Sequence, residues 1–548
     1  MKVVCGGGQI SLNDNATVLD AFTAAGCADG ALAALRGYQI VELNEQAAEG
    51  DRLTPLTIKH EEGRRIYERS LRYVMLLAVR RCFPAQQVRI EYSIGRGVLV
   101  TLRDRKVSSS DVRRIAEEMR NIIRLDLPFV KEEWPVEKAI DYYLREGQSE
   151  KAALLKRRKK QTITLYGCDG MWAYFYGAMT PSTGYVKVFE LLYRSNGFSM
   201  QLPDPDSPLQ PSSYVEQPKH LAVFSQSAEW CSILGVNNVV DLVQLKQEGR
   251  MRNFIRVNEA LHEQAMGAIA REIVNAGKRI VFVAGPSSSG KTTFSGRMAV
   301  QLQVEGRRAY RLSMDDYYRD RDELPREKDG SVDLEHIQAL DLPLLCNHLQ
   351  RLLDGETVQV PRFDFTTGKR MTETMPLKLG SDEAVIIEGI HALNPMIAEQ
   401  LPQRDIHRIF VSALTCINLD DHNRIRTTDV RLLRRVVRDY QFRGTTPEET
   451  LAMWPSVRRG EEKWIFPCQE LADSMFNTAL HYELPFLRHK VYDMICRIPE
   501  SSPVYVLASH LRKLLNYVPD AEEGLLSEIP PLSLLREFIG GCTMELSD

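Results

Sequence analysis

The chain has 548 residues, which is too long for a single hydrophobic core and sufficient for about three domains of ordinary size. Apolar residues make up 44% and charged residues 26%, as in soluble globular proteins, and the net charge of -3 argues against bulk attraction to nucleic acid or anionic membranes. No apolar run approaches the ~20 residues that span a bilayer, and the start of the chain lacks the apolar stretch of a signal peptide. With ten scattered cysteines and no CxxC, the sequence predicts reduced thiols, a cytoplasmic location and no membrane association.

The first 245 residues predict two small mixed units. Residues 1–60 alternate short apolar stretches with turn signals, which favours a compact α+β unit. In residues 61–245, the stretch 69–82 has helical apolar spacing, and 88–92 and 98–102 alternate like paired strands around Gly95 and Gly97. Asp111 is expected to cap the next helix. Five prolines between positions 202 and 218 predict a long loop.

From about residue 250 the pattern changes to alternating helices and strands. A helix is predicted around Leu261–Ile273, and short continuous apolar runs follow at 280–284, 309–312, 385–387 and 409–411. Strands that are buried on both faces have this pattern, which predicts a doubly wound parallel sheet. The fold class is therefore multidomain, with an α/β unit at 250–548 and α+β units at 1–60 and 61–245.

Residues 285–292 read GPSSSGKT and match the phosphate-binding pattern GxxxxGK[ST] in full. A predicted strand precedes the motif and a predicted helix follows it, which is the context that this motif requires. Glycines let backbone N–H groups surround phosphate oxygens, and the helix N-terminus adds partial positive charge. Lys291 is expected at the β- and γ-phosphates of ATP, and Thr292 at Mg²⁺. The residues predicted to bind the nucleotide are Gly285, Ser287, Ser288, Ser289, Gly290, Lys291, Thr292 and Thr293.

Two carboxylates follow later strands of the predicted sheet. Asp315 comes at the end of the strand after the P-loop helix, where a side chain faces the ligand crevice. There it is placed to accept a proton from an attacking hydroxyl. Glu388 ends the strand at 384–387 and suits a position in or near the Mg²⁺ shell.

A run of arginines follows in a predicted helix. Arg431, Arg434, Arg435 and Arg438 have helical spacing and share one face, and Arg443 lies in the turn beyond them. Guanidinium groups suit the spread negative charge of a transferring phosphoryl group. In a domain with a P-loop, we interpret this face as a phosphate-clamping lid rather than a solvated surface.

The segments GPSSSGKTTF, LSMDDYYRD, VPRFDFTTGKR, IIEGIHAL and RLLRRVVRDYQFRG occur in this order between residue 279 and about 480. Together they resemble the uridine kinase branch of the phosphoribulokinase/uridine kinase family. The resemblance implies ATP and Mg²⁺ as cofactors, Asp315 as catalytic base, and Thr292, Asp315 and Glu388 as the Mg²⁺ cluster. It also implies Tyr318 and Glu335 at the nucleoside, Arg435 at the substrate, and Arg438 and Arg443 in the lid.

This chain departs from the family pattern at several positions. Glu335 replaces the usual aspartate, and Thr445 stands where a second lid arginine is expected. Members that prefer pyrimidines have tyrosine at the position of Phe363 and histidine at that of Gly368. Phe363 can still stack on a base, whereas Gly368 is expected to leave open space. Uridine specificity therefore does not transfer, unless Lys369 or Arg370 replaces the missing contact, and Arg370 is kept as a substrate-binding candidate.

Residues 1–60 resemble a TGS domain, and residues 61–245 resemble the editing domain of threonyl-tRNA synthetase. The clearest segment begins at Thr180 with TPSTGYVKVFEL. Where the editing family has its metal-site histidines and cysteine, this sequence has Arg69, Tyr73, Phe175 and Met179. These side chains cannot replace imidazole or thiolate ligands, so we expect no zinc and no hydrolytic activity, unless residues such as Cys168 and His220 supply a site. The basic run at 156–160 could contact RNA, although a solvated helix end is the simpler interpretation.

The leading hypothesis is a kinase that transfers the γ-phosphoryl group of ATP to the 5′-hydroxyl of a nucleoside. A kinase for another small hydroxylated metabolite, as in the phosphoribulokinase branch, stays open. A nucleotide-dependent RNA-binding or regulatory protein stays open as well, with a possible RNA or regulatory ligand at the N-terminal half. The sequence does not indicate an oligomeric state, a role for the segment beyond about residue 480, or which nucleoside is used.

Overall fold

The structure is a computed structural model that describes residues 1–84, 86–158, 160–324, 326, 333, 335–364 and 367–544. Its first unit is a five-stranded sheet in the order β2-β1-β5-β3-β4, with one helix packed on it. Thr17 and Asp20 form a capping box that starts this helix, and Phe22 and Val18 pack against Val3. The elements are β1 (Lys2–Cys5), β2 (Gly8–Ser11), α1 (Val18–Ala24), β3 (Ala33–Arg36), β4 (Gln39–Val41) and β5 (Arg52–Leu56).

Residues 61–201 form two antiparallel sheets around a long buried helix, α2. The sheets have the orders β11-β12-β7-β6 and β10-β9-β8. The elements are α2 (Glu61–Cys82), β6 (Val88–Ile94), β7 (Gly97–Leu102), α3 (Ser109–Leu125), β8 (Val130–Pro135), α4 (Val136–Arg145), α5 (Ser149–Leu155), β9 (Thr162–Cys168), β10 (Met171–Ala173), β11 (Glu190–Arg194) and β12 (Gly197–Gln201).

The sequence interpretation of this region is confirmed in part. Strands β6 and β7 pair antiparallel around the turn at 95–97, as the alternation predicted. The prediction that Asp111 is the N-cap of α3 is wrong. Ser108 is the N-cap, and Asp111 is the third helical residue, whose side chain completes the capping box. One member of the basic run, at position 159, lies outside the described residues.

Three helices connect this region to the C-terminal half: α6 (Pro218–Ile233), α7 (Val239–Gln247) and α8 (Met251–Asn275). They follow the proline-rich stretch at 202–217, which is a loop as predicted. Cys231 of α6 and Leu242 of α7 share a buried cluster with Val430, Leu433 and Leu487. Helices α6 and α7 therefore pack in the core of the C-terminal half, and the domain boundary near 245–250 stays a prediction.

The C-terminal half is built on a five-stranded sheet in the order β14-β19-β13-β20-β23, in which all neighbours are parallel. Apolar clusters cover both faces, which confirms the expected doubly wound parallel sheet. The last strand, β23, was not predicted because its four residues carry no apolar run. The elements are β13 (Ile280–Ala284), α9 (Lys291–Val304), β14 (Ala309–Ser313), α10 (Leu342–Leu353), β15 (Val358–Val360), β16 (Phe363–Asp364), β17 (Lys369–Arg370), β18 (Met375–Leu377), β19 (Ala384–Glu388), α11 (Pro395–Ala398), β20 (Ile406–Ser412), β21 (Asn418–Asp420), β22 (Asn423–Arg424), α12 (Thr427–Phe442), α13 (Pro447–Gly460), β23 (Ser474–Asn477), α14 (Glu483–Cys496), α15 (Tyr505–Leu515), α16 (Glu523–Leu526) and α17 (Arg536–Ile539).

Buried polar contacts join the N-terminal region to the C-terminal half. The Asp421 carboxylate, which is 2% exposed as a residue, accepts a hydrogen bond from Arg89 and another from Arg103, each at 2.8 Å. The Arg72 guanidinium donates to the carbonyl oxygen of His422 at 3.0 Å. The N-terminal region contributes buried arginines to this junction, and the C-terminal half contributes the buried Asp421 carboxylate and a carbonyl oxygen. Each half therefore supplies the partner that the other half's buried polar groups need.

Within the described parts of the chain, no helix has both the length and the apolar character needed to cross a bilayer.

Candidate active site

The loop at 285–290 connects β13 to α9 and has the shape of a phosphate cradle. Ser288 has φ +57° and Gly290 has φ +88°, left-handed conformations that turn successive N–H groups inward. A Cβ on Gly285 would lie 2.1 Å from the Val411 carbonyl oxygen, so only glycine fits there. The side-chain oxygens of Ser288, Ser289 and Thr293 are buried, and none has a hydrogen-bond partner among the described residues. Unpaired buried hydroxyls at this place fit a phosphate that supplies the missing acceptors.

Lys291, Thr292 and Glu388 come together at the start of α9. The Thr292 hydroxyl donates to the Glu388 carboxylate at 3.0 Å, and the Lys291 ammonium donates to the Gly285 carbonyl oxygen at 3.0 Å. Burial raises the pKa of Glu388 to about 7, against the opposing charge of Lys291. Burial also lowers the pKa of Lys291, and Glu388 and Asp315 oppose that shift. Cation and carboxylates therefore share one small polar site.

Asp315 follows β14 and is exposed to solvent. Its backbone N–H donates to the Ser313 hydroxyl at 3.2 Å. The surrounding protein raises the pKa of the Asp315 carboxyl, while Lys291 and Arg443 favour the ionised form. Asp315 therefore lies within electrostatic reach of the P-loop lysine and of Arg443, the residue that follows α12.

Two of the predicted nucleoside positions, Tyr318 and Glu335, lie within electrostatic reach of Asp315. The rings of Tyr318 and Phe363 have centroids 5.6 Å apart and an interplanar angle of 43°. Burial raises the pKa of Glu335 to about 7, with Glu461 adding repulsion and Arg435 opposing it. The structure therefore brings an aromatic wall and a buried carboxyl to the side of Asp315.

The expectation of open space at Gly368 is wrong. Gly368 has φ +70°, and a Cβ there would lie 2.9 Å from the Nε of Arg321. The Arg321 backbone N–H also donates to the Gly368 carbonyl oxygen at 2.9 Å. The Arg321 side chain, from a segment 47 residues earlier in the chain, therefore occupies the space that was expected to be open.

Arg370 supports the site from behind. Its guanidinium donates to the carbonyl oxygens of Tyr318 at 2.9 Å and Tyr317 at 3.2 Å, and it pairs with Asp341 at 3.1 Å. These contacts use the Nε and Nη2 donors of the guanidinium group. Arg370 therefore holds the backbone of Tyr317 and Tyr318, and its predicted contact with the substrate stays a prediction.

Three of the predicted arginines converge on one buried carboxylate, Asp439. Arg435 and Arg438 pair with it at 3.2 Å and 2.7 Å, and Arg443 lies 3.7 Å away. Arg435 also donates to the Ser287 hydroxyl of the P-loop at 2.6 Å. Helix α12 thus presents Arg435 directly to the phosphate cradle, with Asp439 holding the group together.

The other two arginines of the expected lid face are internal, which corrects that part of the interpretation. Arg431 pairs with the buried Glu461 and donates to the Ser287 carbonyl oxygen at 3.0 Å. Arg434 donates to Glu483 at 2.7 Å. Both side chains are fully buried. Helix periodicity alone could not separate them from Arg435 and Arg438, because their partners come from α14 and from the segment after α13.

These residues lie in a region with known relatives. The model of the phosphoribulokinase/uridine kinase family matches residues 280–483. A uridine kinase of Deinococcus deserti is 34% identical over 195 residues, which is 35% of this chain and 84% of that protein. A uridine kinase of Ligilactobacillus salivarius is 33% identical over 195 residues, covering 35% of this chain and 82% of that protein. The chain belongs to this family.

Two solved structures are also similar in part. A putative fructose transport system kinase from Silicibacter sp. TM1040 aligns with 20% identity and a TM-score of 0.29, over 38% of this chain and 98% of that protein. A possible uridine kinase from Bacillus stearothermophilus aligns with 17% identity and a TM-score of 0.26, over 39% of this chain and 98% of that protein.

The C-terminal half of this family member is therefore an ATP-dependent kinase that acts on a hydroxyl group. The unpaired P-loop hydroxyls fit the phosphates of ATP. Oxygen donors of Thr292, Glu388 and Asp315 are of the kind that Mg²⁺ prefers, with the remaining positions left to water and phosphate. Within the described chain, no group of three or more Asp, Glu, His and Cys side chains is preformed as a metal site.

Sequence reasoning missed two acidic residues of the kinase site. Glu461 accepts the Ser287 N–H at 3.1 Å besides pairing with Arg431, so it fixes the P-loop from a segment 174 residues away. Glu537, from the C-terminal helix α17, accepts the backbone N–H of Thr293 at 3.2 Å. No local pattern marks either residue, because each acts through a contact between distant segments.

Proposed function

We propose that the protein is a nucleoside kinase that transfers the γ-phosphoryl group of ATP to a nucleoside 5′-hydroxyl. The observation that carries the proposal is the pair of aromatic rings of Tyr318 and Phe363, of which Tyr318 lies near Asp315. A nucleoside that stacks on these rings presents its sugar toward Asp315. A sugar phosphate has no base to stack on them.

The proposed chemistry assigns each residue a separate task. The P-loop amides, Lys291 and Arg435 hold the phosphates, and Arg438 and Arg443 stabilise charge on the transferring group. Asp315 takes the proton of the 5′-hydroxyl as its oxygen bonds to the γ-phosphorus, while the bond from that phosphorus to the β-bridging oxygen breaks. Mg²⁺, when bound by Thr292, Asp315 and Glu388, neutralises phosphate charge. Glu335 is assigned to accept a hydrogen bond from the ribose.

The base specificity is proposed to differ from that of a pyrimidine kinase. Arg321 lies where the missing histidine side chain would extend. The contact that selects pyrimidines in the family is therefore replaced here. We expect weak use of uridine and cytidine, and turnover of at least one purine nucleoside among guanosine, inosine and adenosine.

The test is kcat/KM for each nucleoside at saturating ATP, alongside a panel of sugar phosphates. Arg321→Gln, which shortens the side chain beside Gly368, is expected to change the ratio of kcat/KM for purine over pyrimidine nucleosides by about 10-fold or more. Lys369→Gln, an exposed cation on the neighbouring strand β17, is the matched control. Uridine turnover far above every purine would overturn the specificity, and turnover of sugar phosphates alone would favour the phosphoribulokinase-like alternative.

The N-terminal half is proposed to be a TGS-like unit joined to an editing-like unit without hydrolytic activity, in a cytoplasmic protein. Tyr73 and Phe175 lie with ring centroids 6.1 Å apart, and Tyr73 donates to the Tyr166 carbonyl oxygen at 3.2 Å. An aromatic packing arrangement therefore occupies two of the four former ligand positions. Metal analysis of the full chain should give no stoichiometric zinc, and mischarged tRNA should not be deacylated. A tightly held zinc would contradict this proposal.

A further inference from the structure

A small charged cavity lies between α2, the start of α12 and α15. Its volume is about 50 Å³. Five arginines line it, namely Arg65, Arg69, Arg72, Arg424 and Arg426. A single water needs roughly 10–15 Å³ of such volume, so the cavity has room for several waters or for one tetrahedral oxyanion.

The carboxylates of the cavity, Glu68 and Asp429, are already shared. Glu68 lies 2.7 Å from Arg426 and 3.4 Å from Arg424. Asp429 accepts a hydrogen bond from His510 at 2.9 Å. Against these two anions stand five guanidinium groups, of which Arg65 also pairs with Glu61 at 2.7 Å and with Glu62 at 3.5 Å. With these four carboxylates counted, the lining keeps one positive charge in excess, and buried charge without compensation is costly.

Arg69 shows most directly that a partner is missing. It is 7% exposed, and its Nε donates to the Ala178 carbonyl oxygen at 3.0 Å. Its two terminal nitrogens make no hydrogen bond or ion pair with any residue that the structure describes. Burial lowers the pKa of Arg69 to about 10, with repulsion from Arg426 and Arg65 against attraction from Glu62. The side chain lies at a position where the editing-domain resemblance expects a histidine.

We propose that this cavity binds a phosphate-sized oxyanion, either inorganic phosphate or the phosphate group of a small phosphoester. Forked guanidinium donors match the oxygens of such an anion, whose negative charge would offset the excess cation. Arg426 is the residue that directly precedes α12, the helix that carries Arg435 and Arg438. A bound anion would therefore join α2 of the N-terminal region to the helix of the kinase arginines.

The test separates this cavity from the P-loop. Binding of inorganic phosphate to the full-length Lys291→Ala variant is measured by calorimetry and by thermal unfolding, against potassium chloride of equal ionic strength. We expect saturable binding and an upward shift in Tm of about 2 °C or more. If neither the Lys291→Ala variant nor the wild type shows saturable binding or a phosphate-dependent shift in Tm, the proposal is wrong.

Arg69→Gln, made in the Lys291→Ala background, identifies the site. It should abolish the phosphate-dependent shift without lowering the Tm in chloride, because it removes a buried cation that has no partner. Arg113→Gln, an exposed cation of α3, removes the same charge and should keep the shift. A phosphate-dependent shift in Tm that remains in Arg69→Gln would place the anion elsewhere.

Ribose 5-phosphate distinguishes the two possible ligands. Competition between ribose 5-phosphate and inorganic phosphate indicates a phosphoester ligand, and a lack of competition indicates the free ion.

A separate observation concerns the C-terminal segment, which packs beside the P-loop. Phe538 lies under the guanidinium of Arg434 at 4.9 Å, and Leu534 is buried. Between them, Glu537 accepts the Thr293 N–H at 3.2 Å. In a P-loop, the amides at the start of the helix hold nucleotide phosphates. A carboxylate of this chain therefore uses an amide expected to serve ATP.

We infer that the C-terminal segment restrains nucleotide binding by placing Glu537 at the phosphate site, an inference that rests on the proposed function. Bound phosphates and the Glu537 carboxylate would repel each other and compete for the same donor. ATP binding therefore requires Glu537 to move aside. Any partner that draws the segment away would favour ATP binding.

Calorimetry of ATP·Mg²⁺ binding to full-length Glu537→Gln tests this inference. We expect Kd to fall by about 10-fold relative to the wild type, in line with removal of one charged hydrogen bond. Glu522→Gln, which removes an exposed carboxylate of the same segment, should leave Kd unchanged. An equal or higher Kd in Glu537→Gln would overturn the inference. If neither protein binds ATP, the proposed function fails instead.

Discussion

At the scale of single residues, Asp315 has the most specific chemical role in the site. Asp315→Asn keeps the size of the side chain and removes its ability to take a proton. We expect turnover with the best nucleoside to fall by about 10²–10⁴-fold, with a smaller loss from weaker Mg²⁺ ligation. Asp316→Asn, one residue further along the same turn, is the matched control and should change turnover far less. Near-normal turnover in Asp315→Asn would remove this residue from the base position.

Glu388 links the site to pH. Its raised pKa, about 7, means that the folded protein holds a proton between pH 4.5 and 7 that the unfolded chain releases. Its contribution to stability is therefore complete below pH 4.5 and is lost as the pH rises through 7. Buried histidines such as His391 and His481 have lowered pKa values, so their contribution to stability increases as the pH rises. A variant of Glu388 is therefore needed to separate its effect from theirs.

The expected outcome is that the wild type, without Mg²⁺, loses stability relative to Glu388→Gln between pH 5 and pH 7.5. Thermal unfolding of both proteins in a chelating buffer measures this difference. Parallel Tm curves would show that Glu388 does not titrate in this window. Ionised Glu388 also favours metal binding, so stabilisation by Mg²⁺ should grow over the same pH range in the wild type alone.

At the scale of the element, α12 supports the P-loop through a buried ion pair. Arg431→Met would leave Glu461 with Arg458, at 2.7 Å, as its remaining ion-pair partner and would remove a donor from the Ser287 carbonyl oxygen. We expect the free energy of unfolding to fall by about 2–3 kcal/mol, as for the loss of a buried hydrogen bond to a charged group. Urea denaturation of Arg431→Met is compared with that of Arg443→Met, whose arginine is more than half exposed and whose loss should cost little. Similar values for both variants would mean that the pair contributes no net stability.

The elements predicted best from the sequence are those with local signals. The parallel sheet follows from short apolar runs, and the P-loop from a motif whose glycines meet a local backbone requirement at Gly285 and Gly290. Contacts between distant segments were not predictable in this way. Arg321 fills the space beside Gly368, and Glu461 and Glu537 bind the P-loop, because folding brings them there and no spacing in the sequence records it.

At the scale of the whole molecule, the junction at Asp421 joins the two halves into one unfolding unit. Asp421→Asn removes the charge that Arg89 and Arg103 share. We expect a loss of about 1–3 kcal/mol, since Arg89 keeps Glu91 at 3.3 Å but loses its more buried countercharge. Scanning calorimetry should show one cooperative transition in the wild type and a lower, broader one in Asp421→Asn. An unchanged transition would show that the halves are stabilised independently. Asp520→Asn, an exposed carboxylate near α14, serves as control.

The same junction has a consequence for synthesis on the ribosome. Arg103 and its partner Asp421 are 318 residues apart in the chain. At roughly 5–20 residues per second, about 15–60 s pass between the appearance of the two side chains. During that interval the nascent N-terminal half carries Arg89 and Arg103 on a surface that later becomes internal. Slowing translation between these positions, or separating the halves into two messages, should therefore increase capture by chaperones and lower the soluble yield.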